Sequence, residues 1–261
     1  FLGLAYVKES RATGDTKYDI PGAITATLGL VSLVFGITKA ESDGWTGTST
    51  LTFIGIALVL LALFLFIEKR STNPLLPLAI IKNTNRGGAY LASFFLGIGL
   101  FAMFLFLTYF FQIVLGYTPL KAGLLFLPFS AGIIISAGIT SQLLPRFGPR
   151  YVTFGGFILA TSGMLLLTRI TPESSYVSNI LPALIIISLG MGLIFVPLSA
   201  TALFAVGNHD AGVASAVLNT SQQIGGSVGI AFLNTIATSA TAAYVVANNV
   251  DPFNPNAQVE G

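Results

Sequence analysis

The sequence lacks cysteine altogether and contains very few charged side chains. The absence of cysteine excludes disulfides and thiolate metal sites. Only 8% of the 261 residues are charged, whereas roughly a quarter are charged in an ordinary soluble domain. A soluble protein of this length needs many more polar side chains to cover its surface. The composition therefore excludes a soluble domain, and the small net charge of +2 gives no indication of a nucleic-acid partner.

The apolar residues, which make up 54% of the chain, are gathered in continuous blocks. A helix needs about 20 such residues to cross a hydrocarbon core, and only helices or closed barrels satisfy every backbone amide in lipid. Barrel strands would alternate in polarity over about ten residues, which these blocks do not. The pattern predicts an all-α integral membrane protein with seven spans, labelled a to g: residues 20–38, 51–67, 88–111, 122–143, 151–168, 180–206 and 211–238.

The basic residues alternate from one side of the predicted spans to the other. Positive residues concentrate in the cytoplasmic loops of membrane proteins. Nine basic residues lie before span a, between spans b and c, or between spans d and e. Three basic residues lie on the opposite side. The larger set therefore marks the cytoplasm and places the tail after span g outside. The nine are Lys8, Arg11, Lys17, Lys69, Arg70, Lys82, Arg86, Arg146 and Arg150, and the three are Lys39, Lys121 and Arg169.

The spans divide the chain into five segments. Residues 1–19 are expected to be the end of a preceding helix and a cytoplasmic linker, because the chain opens in apolar sequence without a charged leader. Residues 20–67 hold two transmembrane helices, 68–87 a second cytoplasmic linker, 88–238 five further helices, and 239–261 an external polar tail. Within the second linker, residues 74–81 (PLLPLAII) fit either a short interfacial helix or a plain connection.

No Asp, Glu, Lys, Arg or His lies inside any predicted span. Ionisable residues within a membrane usually mark ion pathways and proton relays. The spans also contain no HExxH motif, no paired carboxylates and no nucleophile beside a base, so we expect no enzymatic activity, no metal and no cofactor. The one histidine, His209, lies beside Asp210 where span g begins, and Asp210 is expected to cap that helix.

Three segments, taken in order, resemble the fourteen-span drug:proton antiporters of the major facilitator superfamily. Residues 109–128 (YFFQIVLGYTPLKAGLLFLP) resemble the stretch that joins two helices in that family, and residues 211–229 (AGVASAVLNTSQQIGGSVG) resemble its penultimate helix. Residues 68–70 (EKR), followed by 73–78 (NPLLPL), are similar to the cytoplasmic link before the family's C-terminal bundle.

A fourth segment, residues 141–150 (SQLLPRFGPR), resembles the superfamily's cytoplasmic signature G-x-L-x-D-R-x-G-R-K. Arg146, Gly148 and Arg150 match it, whereas Ser141 replaces the first glycine and Pro145 replaces the aspartate. Two interpretations follow. The segment is either an altered copy of the signature without its charge relay, or a positive cytoplasmic anchor with a tight Gly-Pro turn.

The resemblance implies an incomplete transporter. Spans a and b would be the two extra helices between the bundles, and spans c to g would be five of the six helices of the C-terminal bundle. The last helix and the N-terminal bundle would be absent. Because such transporters hold substrate between bundles near the bilayer midplane, the expected partners are the lipid bilayer, a small amphipathic substrate and the N-terminal bundle of the same polypeptide. The expected location is a bacterial cell membrane.

Span g carries the most informative polar residues. Asn219, Gln222 and Gln223 share one helical sector, because residues three and four apart lie on the same face. Polar amides are costly in lipid, so these three are candidates for a substrate path, with interhelical hydrogen bonding as the competing interpretation. Gly225 and Gly229 form a small-xxx-small pair that favours close helix packing.

Two other groups of residues are candidates for transport roles. The aromatic end of span c carries polar groups that fit an exit vestibule or an interfacial belt. Prolines free backbone carbonyls and bend helices, so span f is a candidate for bending, with a passive kink as the alternative. The polar pair is Tyr109 and Gln112, and the bending candidates are Pro128 in span d and Gly190, Gly192 and Pro197 in span f.

The leading functional hypothesis is part of a secondary active transporter that exports amphipathic or cationic drugs by proton-coupled alternating access. This follows from the resemblance. An exporter of a specific natural product or metabolite on the same fold is the first alternative, because fold does not fix substrate. A membrane scaffold or sensor that transports nothing is the alternative from a different class.

Overall fold

The computed structural model describes residues 19–71, 74–76, 83–207 and 210–248, and all regular structure within these ranges is helical. This confirms the predicted all-α fold. Two π-helical turns, Phe110–Val114 and Tyr176–Ile180, follow α3 and precede α6. The α-helices of the described ranges are α1 (Ile20–Asp43), α2 (Thr48–Arg70), α3 (Thr84–Tyr109), α4 (Pro119–Leu125), α5 (Leu127–Leu167), α6 (Leu181–Leu203) and α7 (Ala211–Asn248).

Five helical stretches of the described chain are long and apolar enough to cross a membrane: Ile20–Ala40, Thr48–Arg70, Thr84–Val114, Pro119–Leu167 and Tyr176–Leu203. The fourth has 49 residues, more than twice the roughly 20 that one crossing needs. Helix α7 is not among the five, because its amides and glycines lower its hydropathy. A membrane crossing by α7 therefore stays a prediction.

Helix α5 reverses direction at Gly148, whose φ of 75° and ψ of 162° lie in a region that is essentially restricted to glycine. Contacts with α6 give the direction of each arm. The first arm (127–147) runs parallel to α6 and the second arm (149–167) runs antiparallel, so the two arms form a hairpin at the positions of spans d and e. The contacting pairs are Gly132 with Ser188 and Gly192 with Ser136 for the first arm, and Gly156 with Gly190 and Gly163 with Ala183 for the second.

Helix α6 is the central helix of the bundle, because both arms of α5 and one side of α3 pack against it. The hydroxyl of Ser136 donates a hydrogen bond of 2.5 Å to the carbonyl oxygen of Leu189, which joins the first arm of α5 to α6. The apolar side chains between these helices form a continuous core. Its fully buried large members are Phe111, Phe129, Ile180, Leu184, Ile187, Met191 and Ile194.

Helices α1 and α2 form an antiparallel pair, in which Gly29 lies against Leu61 and Gly36 against Ile54. Helix α1 also packs along α7. The rings of Trp45, between α1 and α2, and Phe232, on α7, meet edge to face with centroids 5.7 Å apart. The pair is therefore attached to the rest of the bundle through α7.

Several sequence-based boundaries differ from the observed helices. Helix α7 continues to Asn248, past the predicted end of span g, so the predicted external tail begins as helix. Helix α7 begins at Ala211, immediately after Asp210 as expected, and the side-chain cap itself stays a prediction. Residues 1–18, His209, residues 77–81 of the proposed interfacial helix and residues 249–261 of the tail lie outside the described residues.

Candidate substrate path

Helix α7 meets α3 through glycines. A Cβ atom on Gly229 would lie 2.7 Å from the Cα of Ile98, and a Cβ on Gly225 would overlap the carbonyl oxygen of Phe94. Residue numbers rise together along this contact, so the two helices run parallel. Because no side chain separates them here, the two backbones lie in direct contact.

Gln222 lies on the edge of this contact. A Cβ on Gly97 would overlap the carbonyl oxygen of Gln222 and would lie 2.9 Å from the backbone nitrogen of Gly226. The side chain of Gln222 is half-buried. No described residue hydrogen-bonds its amide group. The backbone of Gln222 thus belongs to the α3–α7 contact, and its half-buried side chain lies beside that contact.

Gln223 faces a different neighbour. It lines a cavity of about 500 Å³ between α1 and α7, together with Thr220 and Ser227. The α1 side of this cavity is apolar apart from Thr38. The side chain of Gln223 is exposed. The sector predicted on α7 is therefore divided, with Gln223 toward α1 and Gln222 beside α3.

Asn219 uses its amide within its own helix. Its Nδ2 donates a hydrogen bond of 3.0 Å to the carbonyl oxygen of Ser215, and the residue is exposed. This bond uses one of the two hydrogens on the amide nitrogen of Asn219. Asn219 is thus on the surface one turn before Gln222.

Tyr109 and Gln112 lie at the other end of α3. Tyr109 is 41% exposed, and Gln112 is half-buried in the π-helical turn that follows. Twelve residues separate Tyr109 from Gly97 on one helix, which corresponds to about 18 Å. The structure therefore does not bring this pair together with the amides of α7.

The aromatic run at the end of span c is divided between the core and the surface, since Phe101 and Phe106 are exposed. Phe104 packs against Phe126 and Phe129, with ring centroids 5.0 and 5.3 Å away. Phe111 is fully buried and packs against Phe126 and Tyr176, with ring centroids 5.6 and 6.2 Å away. These inward rings pack against one another and stabilise the bundle.

Pro128 lies beside a break in span d, where Phe126 separates α4 from α5. Proline has no N–H to donate and disturbs the hydrogen bonds of the preceding turn. The hydroxyl of Tyr176 donates a hydrogen bond of 2.7 Å to the carbonyl oxygen of Leu125. Tyr176 thereby supplies a donor at the break and ties the start of α6 to span d.

Gly190, Gly192 and Pro197 lie in the most tightly packed part of α6. A Cβ on Gly190 would lie 2.6 Å from the carbonyl oxygen of Gly156, and a Cβ on Gly192 would lie 2.5 Å from the Cβ of Ser136. Pro197 is fully buried within the helix. Any bending of α6 at these residues would therefore move both arms of α5 with it.

The cytoplasmic loop signature forms the turn of the α5 hairpin. Gly148 provides the reversal, and Arg146 and Arg150 are exposed on either side of it. Pro145 occupies the position of the signature's aspartate, so no carboxylate is present there. Arg150 also borders a large cavity at this end of the bundle.

Sequence reasoning missed a group of buried polar atoms. Within the described residues, the atoms without a hydrogen-bond partner are Asp19 Oδ2, Glu68 Oε1, Arg86 Nε and the Tyr90 hydroxyl. All four lie at the ends of α1, α2 and α3 that the basic loops assign to the cytoplasm. The hydropathy pattern gave no signal for their burial, because each residue lies at or beside a predicted linker.

Comparison with known proteins identifies the family. A sequence profile described as Major Facilitator Superfamily matches residues 20–230. The chain belongs to the major facilitator superfamily. The predicted family is confirmed, together with the multi-pass location in a cell membrane.

Relatives within the superfamily are named for drug resistance or export. The chain is 40% identical to the puromycin resistance protein pur8 of Streptomyces alboniger, over 96% of this chain and 50% of that protein. It is 30% identical to the multidrug resistance protein Stp of Mycobacterium tuberculosis and 32% identical to the cephamycin export protein CmcT of Amycolatopsis lactamdurans. These matches cover 93% and 89% of this chain and 45% and 48% of those proteins. The chain thus spans about half the length of the curated relatives it matches.

Proposed function

We propose that this chain forms part of a secondary active transporter that exports amphipathic or cationic drugs by proton-coupled alternating access. The observation that carries this proposal is the 40% identity to a puromycin resistance protein along 96% of the chain. The helical bundle and the membrane-spanning composition agree with a transport role.

Substrate in this proposal contacts the polar side chains of α7. Gln222 is the first candidate, because its half-buried amide has no partner among the described residues and lies beside the rigid contact with α3. Asn219, exposed one turn earlier, and Gln223, in the groove beside α1, are secondary candidates. Tyr109 and Gln112 would contact substrate only near the exit, since they lie about 18 Å farther along the bundle.

The transport cycle in this proposal needs a second helical bundle. Superfamily transporters bind substrate between two bundles that rock about the site, and α3 to α7 supply one wall. The dense packing of Gly190 and Gly192 against α5 favours movement of α5 and α6 as one unit. Bending at Pro197 would therefore tilt three membrane segments together.

Export of a specific natural product is the second candidate function. The similarity to a cephamycin export protein over 89% of the chain favours it. Both candidates use the same helices, and only the range of substrates distinguishes them.

Expression of the complete product of the encoding gene in a drug-sensitive bacterium tests the proposal. We expect reduced accumulation of ethidium relative to an empty vector, and a protonophore should abolish the difference. Efflux that survives the protonophore would contradict proton coupling. If susceptibility changes for a single antibiotic class while ethidium accumulates normally, the natural-product exporter is supported instead.

A further inference from the structure

Two buried carboxyl groups lie at the end of the α1–α2 pair that the basic loops assign to the cytoplasm. Asp19 caps the start of α1, and Glu68 lies in the last turn of α2. The two residues are only 8% and 3% exposed. This chain alone encloses them, so their burial does not depend on any further segment of the transporter.

The packing of α1 on α2 brings the two carboxyl groups together. The contacts of Gly29 and Gly36 with α2 lie seven residues apart on each helix, which is close to two helical turns. Continuing this antiparallel register by seven residues places Gly22 opposite Glu68. Asp19 folds back to the same level, because its Oδ1 accepts the hydrogen bond of 2.9 Å from the backbone nitrogen of Gly22. The charge of Asp19 therefore acts on Glu68.

Each carboxyl group uses one oxygen and encloses the other without a partner. Glu68 Oε2 accepts a hydrogen bond of 3.0 Å from the backbone nitrogen of Leu76, just as Asp19 Oδ1 accepts one from Gly22. Glu68 Oε1 and Asp19 Oδ2 are buried and have no donor among the described residues. Enclosing a charged carboxylate without a donor is costly, and a buried carboxyl group takes up a proton instead. One proton satisfies both oxygens, because a carboxylic acid donates its O–H to a neighbouring carboxylate.

The other described charges do not neutralise this pair. Lys69 and Arg70 follow Glu68 on α2, but both are exposed. The described part of the next linker, residues 74–76, is uncharged. Helix α7 also packs against α1, and its described ionisable groups are Asp210, just before its start, and Tyr244, near its end. Neither of them is among the groups that act on Glu68.

A proton fits the two oxygens better than a metal ion does. Calcium and magnesium ions take six or more oxygen ligands. The described residues offer two unpaired oxygens here, and they contain no group of three or more acidic or histidine side chains suited to a metal.

The helix dipoles decide which carboxyl group carries the proton. Asp19 lies at the start of α1, where the positive end of the dipole stabilises a negative charge. Glu68 lies at the end of α2, where the negative end of the dipole disfavours one. The proton therefore belongs on Glu68, and Asp19 stays ionised.

We propose that Asp19 and Glu68 bind one proton between them and that this proton latches the start of α1 to the end of α2. Glu68 Oε1 carries the proton and donates it in a hydrogen bond to Asp19 Oδ2. Glu68 Oε2 holds Leu76 at the same time, so the latch also fixes the linker after α2. Loss of the proton leaves two enclosed negative charges side by side, which separates the two helix ends and frees the linker. The latch depends neither on the exported substrate nor on the coupling of export to protons.

Thermal unfolding of the complete gene product in neutral detergent, repeated from about pH 5 to about pH 8, tests the latch. The unfolded chain releases the proton of Glu68 near pH ~4.3. Because the folded protein still holds it above that pH, its stability falls as the pH rises. In Glu68→Gln the amide nitrogen donates to Asp19 Oδ2 at every pH, which removes this dependence. We expect the melting temperature of the unaltered protein to fall by about 2 °C per pH unit more than that of the variant.

Glu173→Gln is the matched control, because Glu173 is exposed between α5 and α6. It should keep the pH dependence of the unaltered protein. Infrared difference spectra at neutral pH give a second readout. The spectrum of the unaltered protein minus that of Glu68→Gln should contain the C=O stretch of a protonated carboxylic acid, and the difference against Glu173→Gln should not.

Asp19→Asn tests the latch from the other side, since its amide nitrogen donates to Glu68 Oε1 and should likewise remove the pH dependence. Equal pH dependence in Glu68→Gln and Glu173→Gln would overturn the proposal. An infrared difference against Glu68→Gln without the acid band would overturn it as well. Both readouts use purified protein without transport, so their failure is distinguishable from a failure of drug export.

Discussion

Of Gly88, Gly97 and Gly99 on α3, Gly97 is the glycine at which an added side chain has least room. Its missing Cβ leaves space for the carbonyl oxygen of Gln222. Because backbone cannot move aside as a flexible side chain can, overpacking here must separate α3 from α7.

We therefore predict that Gly97→Ala lowers the free energy of unfolding by about 1–3 kcal/mol. Gly99→Ala is the matched control, since a Cβ at Gly99 would meet only the Cε of Met164 at 3.9 Å. The control should be neutral or slightly stabilising, because alanine favours helix over glycine. Thermal unfolding of both purified variants measures the difference. Equal melting temperatures would show that the α3–α7 contact is looser than described.

Gln222 and Gln223 are neighbours in sequence with different surroundings. We predict that Gln222→Ala in the complete gene product changes the set of exported drugs while membrane abundance stays normal. Gln223→Ala should change that set less, because its amide lies in the groove beside α1. Susceptibility profiles beside an immunoblot of membranes distinguish these outcomes. If Gln222→Ala lowers abundance and leaves the profile unchanged, the residue has a packing role only.

Among the secondary-structure elements, the α5 hairpin depends most clearly on one residue. The backbone of Gly148 adopts φ 75° and ψ 162°, and a residue with a Cβ is strained there by about 1–3 kcal/mol. We predict that Gly148→Ala destabilises the protein by this amount. Gly155→Ala should instead stabilise it by about 0.5–1 kcal/mol, because Gly155 is helical and a Cβ there meets nothing within 4 Å.

The two variants of the hairpin are compared by thermal unfolding in the same detergent. Opposite changes in melting temperature are the expected result. A loss of stability in both would mean that the arms pack more closely at Gly155 than the described contacts indicate. No change in Gly148→Ala would imply that the chain reverses at another residue.

For the whole molecule, the distribution of basic residues predicts which end faces the cytoplasm. Because this chain has no cysteine, each cysteine introduced into it is the chain's single thiol, and the protein without the introduced cysteine gives the background labelling. A cysteine introduced by Asn85→Cys should react with an impermeant maleimide only in inverted vesicles. One introduced by Ser175→Cys should react in intact cells, since Ser175 is exposed before α6. The reverse pattern would invert the topology.

The buried carboxylates at the ends of α1 and α2 bear on proton coupling. Asp19 Oδ1 accepts a hydrogen bond of 2.9 Å from the backbone of Gly22, and Glu68 Oε2 accepts one of 3.0 Å from Leu76. These bonds indicate structural roles at helix ends. We predict that Asp19→Asn and Glu68→Gln each leave protonophore-sensitive efflux largely intact, because neither acid lies within a predicted span. Loss of coupling with normal abundance in either variant would place the coupling acid in this chain.

Composition and the length of the apolar blocks were enough to predict the membrane class and the helical fold, whereas the family was predicted from the resemblance of a few short segments. The reason is that backbone N–H and C=O groups in lipid must hydrogen-bond within the protein. A continuous apolar block of about 20 residues can do so as a membrane-spanning helix. A tight Gly-Pro turn was one of the two interpretations of residues 141–150, and the chain does reverse at Gly148. These are local properties, which sequence encodes directly.

Only the tertiary structure decided which side chains from different helices lie next to one another. One helical sector on α7 predicted a common role for Gln222 and Gln223, but the neighbours α3 and α1 divide them. Arg86 and Arg150 are far apart in sequence and were assigned only to loops, yet they border one cavity. The burial of Asp19 and Glu68 likewise depends on how the start of α1 packs against the end of α2. Packing between distant segments fixes these relations, and no local pattern of residues contains that information.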